Sequence, residues 1–277
     1  MNRLEIHSIF NLTHADEHLS AADAVHLISC FGNVEILDSV FEGMKDDALN
    51  IHGNYYTVQS ISDNVIHARL NTDIQANPGV NAYYKMFDKG DRLENYRGNT
   101  MAPKQTLTVE RVDVTGDFTA DLTCVGDLSA LCEGDTIENR SAQADLHIKN
   151  CRFGKAATHL RLQTRGRVLI EDSECSLKIL LSGDKNYWYE GSPINDLTIR
   201  NCRFTGKRGM ILAMPSFEVC DESPYYHSGI KILHNTFDAT NALNFSHCRG
   251  VLFEGNTHSV GLALENNFEN CEGVVER

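Results

Sequence analysis

Two neighbouring aspartates begin the segment of this sequence in which residue type and spacing point most directly to chemistry. The segment KDDALNIHG (45–53) contains Asp46 and Asp47, and its polar residues Asn50 and His52 alternate with apolar ones. Such alternation is typical of a strand with one buried face. A surface turn followed by an ordinary strand has the same pattern, so the segment alone does not establish a site.

A third aspartate occupies the equivalent position one repeat earlier. The segment DAVHLI (23–28) aligns with DALNIH (47–52), and this alignment pairs Asp23 with Asp47. Equivalent residues on stacked strands lie about 5 Å apart, so Asp23, Asp46 and Asp47 would share one pocket. Repulsion among three carboxyls raises the pKa of at least one, which leaves a protonated acid beside an ionised carboxylate. Glycoside hydrolysis needs this combination, because one group protonates the leaving oxygen while the other activates water.

A repeated strand motif predicts the elements that would position these acids. The pattern apolar-x-apolar-x-x-small-x-Phe and its degenerate copies occur as VEILDSVF (34–41), LHIKNCRF (146–153), VLIEDSEC (168–175), LTIRNCRF (197–204), IKILHNTF (230–237) and VLFEGNTH (251–258). Short strand–turn units that recur at intervals of about 20 residues or more are typical of a solenoid, and two-residue alternation favours a parallel β-helix. The small residues at the sixth position, several of them cysteines, are predicted to form a buried ladder.

Residues 54–138 break this repeat. Alternating runs such as TVQSI (57–61) and VIHARL (65–70) predict antiparallel strands joined by polar turns. The expected fold is all-β, a right-handed parallel β-helix (solenoid) with an inserted small antiparallel β-barrel-like region. The expected domains are the first coils with the catalytic residues at 1–53, the insertion at 54–138, and the C-terminal coils at 139–277.

Composition restricts the classes of partner. The 277-residue chain has a formal net charge of −13 and no cluster of lysine or arginine, so nucleic acid and anionic membranes are disfavoured. An acidic groove would also repel a polyanionic sugar, which favours a neutral glycan. No apolar run approaches the roughly 20 residues of a membrane span, and the long apolar segment of a secretory signal is absent. The nine cysteines contain no C-x-x-C spacing, and neither a metal nor another cofactor is expected.

Several motifs occur in order along the chain: ADAVHLISCFG (22–32), KDDALNIHG (45–53), GDTIENRSAQADLHIKNCRF (134–153), RGRVLIEDS (165–173) and ILLSGDKNYWYEGSPINDLTIRNCRF (179–204). Together they resemble glycoside hydrolase family 110, the exo-acting alpha-1,3-galactosidases of bacteria, which remove terminal galactose, including that of blood group B structures. The resemblance covers most of the chain and implies a β-helix whose small β-barrel is inserted where the repeat breaks. It also implies that this chain lacks the N-terminal part of the family's chains, so that residues 1–20 would cap the first coil.

The resemblance implies a role for each acid. Asp46 would be the general acid, and Asp23 with Asp47 would hold the attacking water. This arrangement is similar to the three aspartates of the polygalacturonases, another inverting β-helix family. Asn50 and His52 would contact sugar hydroxyls or tune the acids. An inverting, metal-independent hydrolysis is therefore expected.

The segment GDKNYWYEG (183–191) is a second candidate for substrate binding. It contains Trp188, the only tryptophan of the chain, together with Asp184, Asn186 and Glu190. Aromatic rings pack against the C–H faces of sugars, while carboxylates and amides accept hydrogen bonds from hydroxyls. A loop that folds back to cover the solenoid would have the same composition, and the resemblance favours the substrate-binding interpretation.

Three functional hypotheses follow. The first is an exo-acting, inverting glycosidase that removes terminal alpha-1,3-linked galactose from neutral glycans. The second is a truncated, catalytically weak or inactive relative that binds carbohydrate. The third, a polygalacturonase or lyase, is disfavoured because the groove is acidic and no D-x-[DN]-x-[DN]-G calcium loop is present. The sequence leaves the oligomeric state and the cellular location open, although members of the family are usually exported.

Overall fold

The structure is a computed structural model that describes residues 23–71, 87–154, 158–206 and 210–277, together with the backbone of 3–7. Apart from the strand at 3–7, the predicted cap at residues 1–20 lies outside this part of the chain. All regular elements in the described ranges are β-strands. Among these residues, no helix is long and apolar enough to cross a membrane. The prediction of an all-β fold is therefore confirmed.

The repeat units form three sheets, and within each sheet the strands of successive units pair in parallel. The first sheet contains, in spatial order, β1 (Arg3–His7), β3 (Asn33–Leu37), β11 (Asp145–Lys149), β14 (Val168–Glu171), β18 (Leu197–Arg200), β21 (His227–Leu233), β24 (Cys248–Glu254) and β27 (Glu272–Glu276). The second contains β4 (Val40–Phe41), β12 (Arg152–Phe153), β15 (Glu174–Cys175), β19 (Arg203–Phe204), β22 (Thr236–Phe237) and β25 (Thr257–His258).

The third parallel sheet carries the candidate site. Its strands are β2 (His26–Ile28), the first part of β5 (Leu49–Ser62), β13 (His159–Gln163), β16 (Lys178–Leu181), β20 (Ile211–Ala213), β23 (Asn241–Ser246) and β26 (Glu265–Glu269). Each repeat unit contributes strands to successive sheets. The chain therefore returns to the same sheet one unit later, an arrangement compatible with a β-helix.

The register of the first sheet matches the alignment of the repeat. The third-position residues face one another on successive strands in the order Ile36, Ile148, Ile170, Ile199, Ile232 and Phe253. The sixth-position residues form buried side-chain contacts between units. The backbone N–H of Cys151 donates to Ser173 Oγ at 3.0 Å, and that of Cys202 donates to Asn235 Oδ1 at 2.8 Å.

The residue before each ladder position has a left-handed backbone. Asp38, Asn150, Asp172 and Asn201 have φ values of 50°, 52°, 51° and 55°. Aspartate and asparagine tolerate this conformation better than other residues with a Cβ, which explains their recurrence at this turn. The turn redirects the chain from the first sheet to the second in each unit.

The interrupting segment forms antiparallel pairs. After its parallel part, β5 pairs with β6 (Val65–Leu70), and the segment continues through β7 (Arg92–Tyr96), β8 (Pro103–Gly116), β9 (Thr119–Val125) and β10 (Thr136–Asn139). Strand β10 pairs with both β7 and β5, so the six strands form a closed ring of hydrogen-bonded neighbours.

Each region has its own apolar core. Side chains such as Ile148, Leu162 and Phe204 fill the interior of the repeat units, whereas Val58 and Leu122 belong to the core of the antiparallel ring. At the junction, Tyr55 and Tyr226 form a hydroxyl–hydroxyl hydrogen bond of 2.6 Å. The short strand β17 (Glu190–Gly191) pairs antiparallel with β5 at this boundary. Strand β5 therefore belongs to both regions, and its first residues lie where they meet.

Candidate functional site

The pairing of β2 with β5 brings the three aspartates together. Leu27 lies opposite Ile51, so Asp23 and Asp47 are equivalent residues on neighbouring strands. The backbone N–H of Asp47 donates to Asp23 Oδ1 at 3.1 Å. Carboxylate oxygens of Asp23, Asp46 and Asp47 lie within 4.8 Å of one another. The structure thus brings all three predicted acids together in a single cluster, called the acid cluster below.

Asp47 is the buried member of this acid cluster, and it is held by the next strand. Its Oδ1 accepts hydrogen bonds from the Thr158 hydroxyl and, at 2.8 Å, from the backbone N–H of His159. Its Oδ2 accepts from Arg161 Nε at 3.0 Å. Burial raises the pKa of Asp47, but the hydrogen bonds from His159 and Thr158 and the charge of Arg161 outweigh it and lower the pKa to about 2.

Asp23 has the opposite electrostatic environment. Burial and the negative charges of Asp47 and Asp46 raise its pKa from 3.8 to about 7. Asp46 is exposed and accepts a hydrogen bond from the Thr158 hydroxyl at 3.3 Å. The cluster thus combines a carboxyl that is half protonated near neutral pH with a carboxylate that stays ionised, as acid–base catalysis requires.

His52 belongs to a second polar group beside the acids. Its side chain is fully buried, and its Nε2 lies 2.8 Å from His26 Nε2 and 3.5 Å from Glu190 Oε1. Glu190 is also buried, and its Oε2 accepts from Gln163 Nε2 at 3.2 Å. His26 Nδ1 faces Asp23 Oδ2 at 3.6 Å, which links this group to the acid cluster.

Asn50 lies between the two groups on β5. It is 5% exposed, and it faces His26 on one side and Arg161 on the other. Its Oδ1 is a buried acceptor with no hydrogen-bond partner among the described residues. A buried amide oxygen without a protein donor favours a ligand hydroxyl as its partner, because leaving it unsatisfied is costly.

The loop at 183–191 reaches the site through one end only. Asp184 Oδ1 accepts from the backbone N–H groups of Asn186 and Tyr187, both at 2.8 Å, so this carboxylate stabilises the loop itself. Asn186 Nδ2 donates to the carbonyl of Ser216 at 3.4 Å, which anchors the loop to a later unit. Contacts of Asp184 and Asn186 with substrate therefore stay a prediction.

Trp188 and Glu190 differ in exposure. Trp188 is 39% exposed and packs edge-to-face against Tyr187 at a ring distance of 4.8 Å, so an aromatic surface is open to solvent. Glu190 is buried next to His52, so it lies beside the acid cluster rather than on the loop surface, and its contact with substrate stays a prediction. Whether Trp188 stacks on a sugar stays a prediction.

Several positions that contact the predicted site residues were themselves not predicted, among them Arg161, Gln163 and His26. Arg161 and Gln163 on β13 are held next to β5, where they contact Asp47 and Glu190. The available sequence signal was the similarity of THLRL (158–162) to DALNI (47–51), which aligns Arg161 with Asn50. His26 could have been found in the same way, because it occupies the same position in DAVHL (23–27).

Two groups of residues among those described could hold a metal ion. One is the acid cluster, and the other comprises His26, His52 and Glu190, whose ligand atoms also lie within 4.8 Å of one another. In the acid cluster, Asp47 already forms an ion pair with the guanidinium of Arg161 at 3.0 Å, so one of the three carboxylates has a positively charged partner. In the second group, the short contact between the two imidazoles is accounted for by a hydrogen bond.

These features define a class: an all-β chain of stacked parallel strands that carries a cluster of three aspartates on one of its sheets. Known proteins of this kind match the sequence. It is 29% identical to alpha-1,3-galactosidase A of Bacteroides fragilis over 255 residues, which are 86% of this chain and 41% of that protein. It is 31% identical to alpha-1,3-galactosidase A of Streptomyces avermitilis over 257 residues, 86% of this chain and 40% of that protein.

The B-type enzymes match as well. Alpha-1,3-galactosidase B of Akkermansia muciniphila is 28% identical over 236 residues, 79% of this chain and 29% of that protein. No protein-family model matches the chain. The chain is therefore related to the alpha-1,3-galactosidases, which confirms the resemblance seen in its motifs. It spans about two fifths of the length of the curated A-type relatives, as the 41% and 40% coverages show.

Proposed function

We propose that this chain is a glycosidase that removes terminal alpha-1,3-linked galactose from neutral glycans. The relatives named alpha-1,3-galactosidase support the reaction and the sugar. The observation that carries the proposal is the acid cluster, in which Asp23 and Asp47 lie side by side with pKa values of about 7 and about 2. We propose further that the coils at 1–53 and 139–277 form a right-handed parallel β-helix and that 54–138 is an inserted barrel-like domain.

We assign the delivery of the proton to Asp46. Burial is the largest cause of the raised pKa of Asp23, and the charges of Asp47 and Asp46 add to it, so this carboxyl keeps a proton near neutral pH directly beside Asp46. Asp46 is the exposed member and can reach the leaving oxygen. In the reaction, this proton passes by way of Asp46 to the leaving oxygen, while Asp23 and Asp47 hold the attacking water and the ionised Asp47 accepts the water's proton.

We propose inversion as the stereochemical course. Support comes from the resemblance to enzymes with three aspartates on a parallel β-helix. The 4.8 Å limit between carboxylate oxygens is close to the separation of about 5 Å typical of retention and shorter than the roughly 6.5–9.5 Å typical of inversion. The anomer released first is therefore the deciding measurement.

We propose that catalysis needs no metal. The Arg161 guanidinium at 3.0 Å from Asp47 neutralises one carboxylate of the pocket, a task that a cation performs in metal-assisted hydrolysis. Activity that survives dialysis against a strong chelator is the expected result. Loss of activity that returns with an added divalent cation would contradict this part of the proposal.

The test uses Gal-alpha-1,3-Gal and the variants Asp46→Asn and Asp23→Asn, with Asp63→Asn as a matched control. Asp63 lies in an exposed turn with a φ of 53°, which asparagine also adopts readily. Hydrolysis by the wild type and the control, with at least about a thousandfold loss in both site variants, is expected. Galactose binding without turnover in the wild type would favour the carbohydrate-binding alternative, and activity only on polyuronates would refute both.

The pH profile follows from the raised pKa of Asp23. A group with a pKa of about 7 keeps its proton below that pH and loses it above. The pocket therefore holds the required proton at acidic and neutral pH, and kcat/KM should fall about tenfold per unit above its alkaline limb near pH 7. A profile measured with an aryl alpha-galactoside checks this, and a rate that stays constant to pH 9 would contradict it.

A further inference from the structure

We propose that His26 and His52 are a positioning pair with fixed tautomers that keeps a protonated Asp23 correctly oriented in the acid cluster. The inference rests on the proposed function, since it assigns a role to residues behind the acids. It begins at the buried end of the pair. His52 Nδ1 lies 2.8 Å from the carbonyl oxygen of Gly53, and a carbonyl can only accept. His52 Nδ1 therefore carries a hydrogen, and in a neutral imidazole its Nε2 then presents a lone pair.

The tautomer of His52 sets that of His26. The two Nε2 atoms are 2.8 Å apart, so one must donate to the other. Because His52 Nε2 presents a lone pair, His26 Nε2 is the donor. Neutral His26 then has its own lone pair at Nδ1, the atom that faces Asp23 Oδ2 at 3.6 Å. Burial and the neighbouring His52 lower the pKa of His26 to about 4, which keeps it neutral at the pH where the acid must act.

A lone pair at this position selects the protonated form of Asp23. A carboxyl O–H can donate to His26 Nδ1, whereas an ionised carboxylate would face another acceptor. The distance of 3.6 Å is longer than a hydrogen bond, and contacts of this kind in unliganded sites often shorten when substrate binds. The backbone N–H of Asp47 holds the other oxygen of Asp23 at 3.1 Å. One oxygen of Asp23 thus accepts a hydrogen bond, and the other faces the lone pair of His26.

The charged groups around the pair act in opposite directions: the charges of Glu190 and Asp47 raise the pKa of His26 and that of Arg161 lowers it, but burial and the neighbouring His52 dominate and keep it low. Glu190 Oε1 faces His52 Nε2 at 3.5 Å and is held by Gln163 on its other oxygen. Arg161 lies on the opposite side, where it binds Asp47 and opposes a positive charge on His26. The third neighbour, Asp46, is exposed to solvent. A second proton on His52 would reverse the contact with His26, so the tautomer is the property to measure.

The experiment compares His26→Ala with His26→Gln. Glutamine keeps a donor toward His52 and an acceptor toward Asp23, whereas alanine keeps neither. We expect the alkaline limb of kcat/KM to move down by at least about one pH unit in His26→Ala, a loss of about tenfold above the limb. It should return toward the wild-type position in His26→Gln. His67→Ala is the matched control, because His67 forms a similar contact of 2.6 Å with Asp121 in the antiparallel ring.

A second readout does not depend on turnover. The imidazole ¹⁵N spectrum of the wild type should show His52 protonated at Nδ1 and His26 at Nε2. The carboxyl ¹³C titration of Asp23 should shift to lower pH in His26→Ala. If the chain hydrolyses no galactoside, these spectra still test the pair, so the two failures are distinguishable. The inference would be overturned if His26→Ala moved neither the alkaline limb of kcat/KM nor the carboxyl titration of Asp23. It would also be overturned if His52 were protonated at Nε2 instead, or if His26→Gln behaved like His26→Ala.

Discussion

Neighbouring residues, not residue type, distinguish the three aspartates. Asp47 receives hydrogen bonds from a hydroxyl, a backbone N–H and a guanidinium, and these outweigh its burial. Asp23 accepts only one backbone hydrogen bond, and two nearby negative charges add to the effect of burial, so its pKa is raised. One pocket therefore maintains two protonation states at the same pH, as a two-carboxyl mechanism needs.

Replacement of Asp23 by asparagine should abolish activity and, at alkaline pH, raise the stability of the fold. The folded-state pKa of Asp23 is raised from 3.8 to about 7, so its contribution to stability is present below about pH 4 and is lost as pH rises through 7. Asp23→Asn removes this loss and keeps an acceptor for the backbone of Asp47. At pH 8 we expect the inactive variant to be more stable by roughly 1–2 kcal/mol after allowance for solvent screening.

Urea unfolding at pH 8 and pH 4 measures this effect. The difference between variant and wild type should shrink at pH 4, where the wild-type carboxyl is protonated in the folded and largely in the unfolded state. A variant that is less stable than the wild type at pH 8 would show that the folded protein does not disfavour the ionised form of Asp23.

At the scale of elements, the repeat motif predicted the strands and their register well. The two-residue alternation and the small sixth residue recur in each unit, and the strand pairing follows that alignment. The contact of Asp47 with Thr158 was harder to predict because 111 residues separate the two positions. The interrupting segment lies between them, so their adjacency depends on where that segment returns to the sheet.

Closure of the antiparallel ring likewise could not be predicted from local sequence patterns. Alternation at TVQSI (57–61) and VIHARL (65–70) predicted strands, and these pair as expected. The double pairing of β10 with β5 and β7 depends on contacts between distant segments. Local sequence preferences do not specify which strands become neighbours.

The turn between the first and second sheets offers a test at this scale. Asn201 has a φ of 55°, a conformation that strongly disfavours β-branched residues. Asn201→Val should lower the free energy of unfolding by about 1–2 kcal/mol, whereas Asn201→Gly should change it by well under 1 kcal/mol. Urea unfolding of both variants measures this difference, and equal stabilities would show that the turn is not conformationally restricted.

At the scale of the whole molecule, β5 joins two differently built regions at the site. Its first residues pair in parallel with β2 and β13, and its later residues pair antiparallel with β6 and β10. Gly191 packs against Tyr55 so closely that an added Cβ would lie 2.0 Å from the ring. The junction therefore fixes Glu190 beside His52, and the pocket depends on both regions being correctly packed together.

The net charge of −13 should select among substrates. A galactoside with a sulfate or carboxylate near the scissile bond is repelled by the protein field, whereas a neutral one is not. We expect a higher kcat/KM for the neutral substrate at low salt, and the ratio should fall as salt screens the repulsion. Matched neutral and sulfated disaccharides at 20 mM and 500 mM salt provide the measurement. A ratio independent of salt would indicate that charge does not determine this preference.

The most direct test of the central claim is proton NMR of Gal-alpha-1,3-Gal during hydrolysis, with the wild type and Asp46→Asn in parallel. The claim is that Asp23, Asp46 and Asp47 act in one pocket on this bond. Inverting hydrolysis at this cluster should release β-galactose first from the wild type, before mutarotation, and Asp46→Asn should release none. Release of α-galactose first would contradict inversion, and undiminished release by Asp46→Asn would contradict the assignment of the pocket.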